Sequence, residues 1–180
     1  MIKITYFVHG TTTNNEKDLT TGWVPGELSK LGIQQSKDLG KTIVNKRFDV
    51  VFSSDLKRAV DSANIAFGEK YKIITDRRLR EANYGDLNET SRKKIKAKLT
   101  DYIDKPFPNG ECYKDVEKRI SDFLNFLKEN YNEKHVSIVS HQAPQLALDV
   151  LIKGKTWEQA IDEDWHNIKA WKPGWEYVLK

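Results

Sequence analysis

Apolar and polar positions along this chain fall into blocks whose period switches between that of a strand and that of a helix. Ile2 to Val8 is a near-continuous β-branched and aromatic run, the pattern of a strand covered on both faces. A Thr/Asn loop and the turn chemistry of Gly22-Trp23-Val24-Pro25-Gly26 follow. Ser29 then caps a predicted helix to about Asn45, with Leu31, Gln35, Leu39 and Ile43 along one side. Phe48 to Ser53 predicts a second strand, and Ser53-Ser54-Asp55 precedes a helix that turns Leu56, Ala59, Val60, Ala63 and Ala66 toward the core. Lys72 to Ile74 reads as a short third strand, Arg77 to Asn88 as irregular structure, and Ser91 to Lys98 as a basic helix ahead of a break at Pro106-Phe107-Pro108-Asn109-Gly110. From Asp115 to about Asn130, Val116, Ile120, Phe123, Leu124 and Leu127 form the stripe of an amphipathic helix. His135 to Val139 is a fourth strand, Pro144 stands early in a helix to about Ile152, Thr156-Trp157-Glu158-Gln159 is a capping box, and Trp175 to Leu179 is a closing strand.

Strands alternating with amphipathic helices predict a single α/β domain over residues 1–180, doubly wound around a mainly parallel central sheet with helices on both faces. Such sheets take ligands outside the carboxyl ends of their strands. Those ends carry His9, Ser53-Ser54 and His141, which makes His9 and His141 candidate site residues. His135 and His166 read as packing or surface residues, and Trp157, Trp165, Trp171 and Trp175 as core and edge packing, with a substrate wall the alternative.

Composition narrows the function classes. No apolar run approaches the ~18 residues of a membrane span, and Met1-Ile2-Lys3-Ile4 lacks the apolar core of a signal peptide, so the mature chain is expected to start at Met1 with no membrane partner. The single cysteine, Cys112, forms no internal disulfide and no metal cluster, consistent with a reducing cytoplasmic setting and a small buried role. The net charge of +4 comes from 30 Lys and Arg against 26 Asp and Glu, and only the run Ser91 to Lys98 is strongly basic. A solvated helix face explains that run without nucleic acid.

The chemistry-bearing residues come in a fixed order: His9-Gly10-x-Thr12-x-x-Asn15, then Ser53-Ser54-Asp55-Leu56-Lys57-Arg58-Ala59, Leu79-Arg80-Glu81-x-x-Tyr84-Gly85, and Val139-Ser140-His141. Thr21-Gly22-Trp23, Leu28-Ser29-x-x-Gly32-x-x-Gln35 and Pro108-x-Gly110-Glu111 fill the intervals. In this order and spacing nearly the whole chain resembles the histidine phosphatase superfamily, the fold of cofactor-dependent phosphoglycerate mutase and small bacterial phosphatases. The resemblance implies that His9 is a nucleophile toward phosphorus, that Arg58 and His141 clamp the phosphoryl group, and that Glu81 is the proton donor. It places Gly10, Thr12, Asn15, Thr21, Gly22 and Tyr84 around the substrate, with Arg92 a further contact. It implies hydrolysis of a small-molecule phosphomonoester without metal or other cofactor.

The residue types suit that chemistry. A neutral imidazole with one free nitrogen can attack phosphorus while the other nitrogen is oriented by a carbonyl, and an arginine fork matches two phosphoryl oxygens. Taken singly, Arg58 could pair with Asp55 or Asp61, and Glu81 with Arg77, Arg78 or Arg80. One departure stands out: relatives carry arginine before the nucleophilic histidine, and this chain has Val8, with Thr11, Thr13 or Arg92 as replacement donors. Losing a charge-assisted contact of ~1.5–3 kcal/mol leaves three readings: a phosphatase, a slow one included, a phosphoglycerate-type mutase, or a non-catalytic phospho-ligand domain. Residues 76–112 are the expected substrate-specificity segment.

Overall fold

The structure is a computed structural model that describes residues 1–168 and 174–180. Strands β1 (Ile2–Val8), β2 (Val50–Ser53), β3 (Ile73–Thr75), β4 (His135–Ser140) and β5 (Trp175–Leu179) form one sheet in the order β3-β2-β4-β1-β5. The first four run parallel, and β5 closes the β1 edge antiparallel, with Tyr6 opposite Trp175. Around them lie α1 (Thr13–Glu16), α2 (Lys30–Thr42), α3 (Lys57–Phe67), α4 (Arg92–Lys96), α5 (Tyr113–Asn130), α6 (Gln142–Lys153), α7 (Trp157–Asp162) and α8 (Trp165–Ile168). Among the described residues no helix is long and apolar enough to cross a membrane.

Successive side chains of a strand point to opposite faces of a sheet, and here the two faces feed two separate cores. Ile4, Tyr6, Phe52, Val136 and Ile138 pack against Val116, Ile120, Phe123 and Leu127 of α5 and Ala143, Leu146 and Ala147 of α6. Phe7, Val51 and Val139 pack the other way, against Ile43, Phe48, Ala63 and Phe67 beside α2 and α3. This is the doubly wound arrangement that the uninterrupted apolar strands predict. All five expected α5 positions are buried.

Three local readings change. The inward side of α2 is Gly32 and Ser36, leading to Ile43 just past its end, while Leu31 is 52% exposed. The reason is a backbone contact: a Cβ on Gly32 would overlap the carbonyl oxygen of Thr11, and one on Gly10 would overlap the carbonyl of Gly32. Only a pair of glycines lets the helix touch the loop after β1 so closely. The basic run forms a helix of only 5 residues, because its lysines repel one another and Ile95 alone buries. The irregular piece contains two 3-10 turns, at Arg77–Leu79 and Gly85–Leu87.

Gly32→Ala should therefore destabilise the fold by about 1–3 kcal/mol, as overpacking does, and a urea midpoint unchanged from the parent protein would show that the loop yields freely.

Candidate active site

Parallel strands bring their carboxyl ends to one edge, and three of them deliver the site. The ladder continues one residue past each strand: His9 N–H donates to the Ser140 carbonyl (3.0 Å) and Ser54 N–H to the Val139 carbonyl (3.0 Å). His9 and His141 thereby stand side by side, their rings edge-on with centroids 5.0 Å apart. The buried Tyr6 hydroxyl fixes the backbone of His141 from below, accepting from its N–H (3.0 Å) and donating to its carbonyl (2.6 Å).

The partners of His9 determine its tautomer. Nδ1 lies 2.7 Å from the Gly10 carbonyl, which can only accept, so Nδ1 carries the proton. Nε2 lies 3.2 Å from Nε of Arg58, which can only donate, so Nε2 presents its lone pair. Burial, reinforced by the charge of Arg58, pushes the His9 pKa down to about 3, so the ring is neutral throughout the physiological range. His141 is likewise held well below the ordinary histidine value by burial and by Arg58. Its Nε2 meets the Ser54 hydroxyl (2.8 Å), which in turn accepts from Leu56 N–H (3.3 Å). The other ring nitrogen, Nδ1, is fully buried and without a partner among the described residues.

Arg58 is the largest side chain among those fully buried, 1% exposed, and it has no carboxylate within ion-pair distance among the described residues. The acids that would occupy it are engaged elsewhere: Asp55 takes a two-pronged bond from Arg80 (2.7 Å each), and Asp61 pairs with Lys57. Its guanidinium donates instead to the carbonyls of Gly22 (2.7 Å) and Val24 (3.3 Å) and to His9. Gly22 turns its carbonyl to Arg58 from a left-handed conformation, φ +52°, that glycine adopts without strain. Burial lowers the Arg58 pKa to about 10, which keeps it a cation at neutral pH.

Glu81 also escapes the arginines that surround it in sequence. Oε1 accepts from the amides of Ala82 (2.9 Å) and Ala143 (3.0 Å), and Oε2 from that of Gln142 (3.2 Å) at the start of α6. Side-chain oxygens suit that helix end because its first N–H groups have no partner within the helix. Its backbone is clamped in turn: its carbonyl accepts from Arg119 (3.0 Å) and from the Trp23 indole (2.6 Å), while Glu111 holds Arg119 and the Asn83 amide. The Pro108-x-Gly110-Glu111 motif thus serves to position Glu81. A Cβ on Gly110 would overlap the Asn83 carbonyl, so glycine is required where the two loops cross.

These elements enclose a cavity of about 680 Å3. Of the residues expected there, His9, Gly10, Asn15, Thr21, Gly22, Arg58, Glu81 and Tyr84 line it, as do Val8 and Thr11. Two do not. Thr12 is wholly buried behind the loop, its hydroxyl accepting from Asn15 N–H (3.1 Å) to cap α1. His141 is 0% exposed, beside His9 but not on the cavity wall.

The wall also holds residues that sequence reasoning assigned elsewhere. His166, expected at the surface or in packing, lines the cavity, as do Trp165 and Trp175; Trp157 is buried in the core and Trp171 lies outside the described residues. Arg92, expected there from the resemblance, and Lys96, one turn on, bring the basic helix to the cavity. The only signal for His166 was Asp164 two residues earlier, whose carboxylate accepts from the backbone N–H of His166 (3.2 Å). Among the described residues no three His, Cys, Asp or Glu side chains gather as a metal cluster.

Residues 6–176 match the histidine phosphatase superfamily (branch 1), and the chain belongs to that family. It is 37% identical over 134 residues to fructose-2,6-bisphosphatase TIGAR of Xenopus tropicalis, a match covering 69% of this chain and 49% of that protein, so it corresponds to about half of that relative's length. To a 2,3-bisphosphoglycerate-dependent phosphoglycerate mutase of Methylorubrum extorquens it is 28% identical, over 82% of this chain and 77% of the relative. Among solved structures, the α-ribazole phosphatase of Shigella flexneri superposes with a TM-score of 0.76 at 25% identity, covering 91% of this chain and 84% of that one.

The buried neutral histidines give a pH dependence of stability. Above the ordinary histidine value of 6.5 neither His9 nor His141 is charged, folded or unfolded. As the pH falls below 6.5 the unfolded chain takes up protons that folded His9 refuses until about pH 3, so stability is lost across that window. Unfolding midpoints measured from about pH 7.5 down to 4.5 should drop, and drop less steeply in His9→Asn; parallel curves would remove His9 from the account.

Proposed function

We propose that the protein is a metal-independent phosphatase that hydrolyses a small-molecule phosphomonoester through a phosphohistidine on His9. The observation that carries this reading is the buried, acid-free Arg58 resting on the lone pair of a His9 whose other nitrogen is locked to a carbonyl. A cation kept in the interior without a carboxylate is costly unless an anion completes its shell. A phosphoryl group arriving between Arg58 and His9 does so, and it frees Nε2 to attack.

In the first step the Nε2 lone pair forms the N–P bond while the ester P–O bond breaks, and Glu81 gives its proton to the departing alkoxide. In the second, water attacks phosphorus, Glu81 takes a proton from it, and the N–P bond breaks to return neutral His9 and orthophosphate. Arg58 holds the transferring oxygens through both steps, and His141 joins it once the group lies against His9. The charge the transition state needs is borne by the protein.

Purified protein incubated with phenyl phosphate should release phenol and, on alkaline quench, yield an acid-labile phosphoryl group on His9. His9→Ala should lose both, and Arg58→Ala should lower kcat by about 100–1,000-fold, the usual loss for one transition-state donor. Retention of vanadate without turnover of any ester would instead identify a phospho-ligand binding domain. The likeness to a bisphosphoglycerate-dependent mutase supports one competing fate for the phosphoryl group; label passing from bisphosphoglycerate to monophosphoglycerate faster than to water would establish it.

Val8 lines the same cavity, so Val8→Arg should raise kcat/KM toward simple esters by about tenfold or more if a missing charge limits the rate. No gain in a folded variant would mean the donor set is already complete.

A further inference from the structure

The turn Gly22-Trp23-Val24 touches both halves of the chemistry. Its backbone serves the phosphate clamp: the carbonyls of Gly22 (2.7 Å) and Val24 (3.3 Å) accept from the two terminal nitrogens of Arg58. Its one large side chain serves the proton donor. The indole Nε1–H of Trp23, which can only donate, gives its hydrogen bond to the carbonyl of Glu81 at 2.6 Å, across 58 positions of sequence.

A second path joins the same two groups. Arg80, the neighbour of Glu81, lies over the Trp23 ring with its guanidinium carbon 4.8 Å from the centroid. It also forks onto both oxygens of Asp55 (2.7 Å each), in the link between β2 and α3, and α3 carries Arg58. The contacts close a circuit: Arg58 to the turn, the turn to Glu81, and Arg80 back to the segment before Arg58. Glu81 depends on such support because it lies in a link with a 3-10 turn on either side and belongs to no strand or helix. A misplacement of about 1 Å can cost a catalytic group roughly 100-fold in rate.

We propose that Trp23 is a positioning residue for Glu81: its indole N–H fixes the backbone from which the proton donor reaches the leaving oxygen, and ties that backbone to the turn holding Arg58. This rests on the phosphatase reading of His9. Trp23 does not line the cavity, so it acts through Glu81 and not on the ester itself. The consequence is confined to one kind of step. As the N–P bond forms and the ester P–O bond breaks, the proton from Glu81 matters most to a strongly basic leaving group, whereas a weakly basic one departs without it.

Trp23→Phe keeps a ring under Arg80 and removes only the N–H. The measurement is kcat/KM, which reports the steps up to the first displacement, for substituted phenyl phosphates running from 4-nitrophenyl to 4-methylphenyl. In the parent it should vary little with the basicity of the phenol. In Trp23→Phe the 4-methylphenyl ester should lose about tenfold more than the 4-nitrophenyl ester, part of the ~100-fold or more that general acid catalysis provides, and Glu81→Gln should show the full effect. Arg58→Lys should lower the whole series in parallel, as general damage to the fold also would.

A parallel loss across the series in Trp23→Phe, or no loss, would overturn the positioning role. Should the parent turn over none of these esters, the phosphatase reading fails by itself, and the amide resonances of Gln142 and Ala143 then decide the positioning. Both amides donate to the Glu81 carboxylate, so in Trp23→Phe they should move toward the values they take in Glu81→Ala. Resonances left at the parent values would overturn it.

Discussion

The contact between Arg58 and His9 governs this molecule. A guanidinium that is 1% exposed has been taken out of water, and carbonyls plus one imidazole nitrogen are all that receive its hydrogens. Such a group is tolerated only when its position is over-determined. The determinants reach across the chain: the left-handed turn at Gly22, the β1 loop held against α2 by Gly10 and Gly32, and the acids Asp55 and Asp61 drawn off by Arg80 and Lys57. Those surface pairs contribute little to stability themselves. Their consequence is that the one buried arginine is left facing an imidazole instead of an acid.

The same economy of backbone contacts fixes the opposite side of the site. Glu81 lies on a loop with only 3-10 turns beside it, yet its carboxylate is held by three amides and its carbonyl by Arg119 and Trp23. The parallel sheet supplies the frame, since β4 ends where α6 begins and the first amides of α6 are the ones Glu81 needs. The long helix α5 therefore bears on chemistry as well as on packing, because Arg119 projects from it.

Much of this was legible in the sequence, for identifiable reasons. The strands are apolar on both faces, so their burial and their common edge follow from pattern alone, and His9 and His141 follow from the strand ends. The glycine contacts were not legible: Leu31, Gln35 and Leu39 make a plausible stripe along α2, and nothing local says that Gly32 must touch Thr11. Thr12 looked like a ligand contact because a loop hydroxyl can either bind an anion or cap a helix, and only the fold shows that it caps α1. His166 was hidden for the opposite reason. It stands 25 positions after His141, on a helix of 4 residues, and it joins the cavity only because α8 returns beside α4.

Val8 takes on a different meaning beside that geometry. It is the last residue of β1, paired with Ser140, and its side chain packs partly against the larger core while touching the cavity. An arginine in this place would add a second positive group, after Arg58, to a region where His9 and His141 are kept neutral by burial and by Arg58. With valine there, Arg58 is the cation beside His9, while Arg92 and Lys96 line the same cavity from α4. Coulomb attraction between a bound anion and a cation falls with distance and with hydration. Valine at this place therefore leaves Arg58 as the one fixed cation in contact with His9 among the described residues.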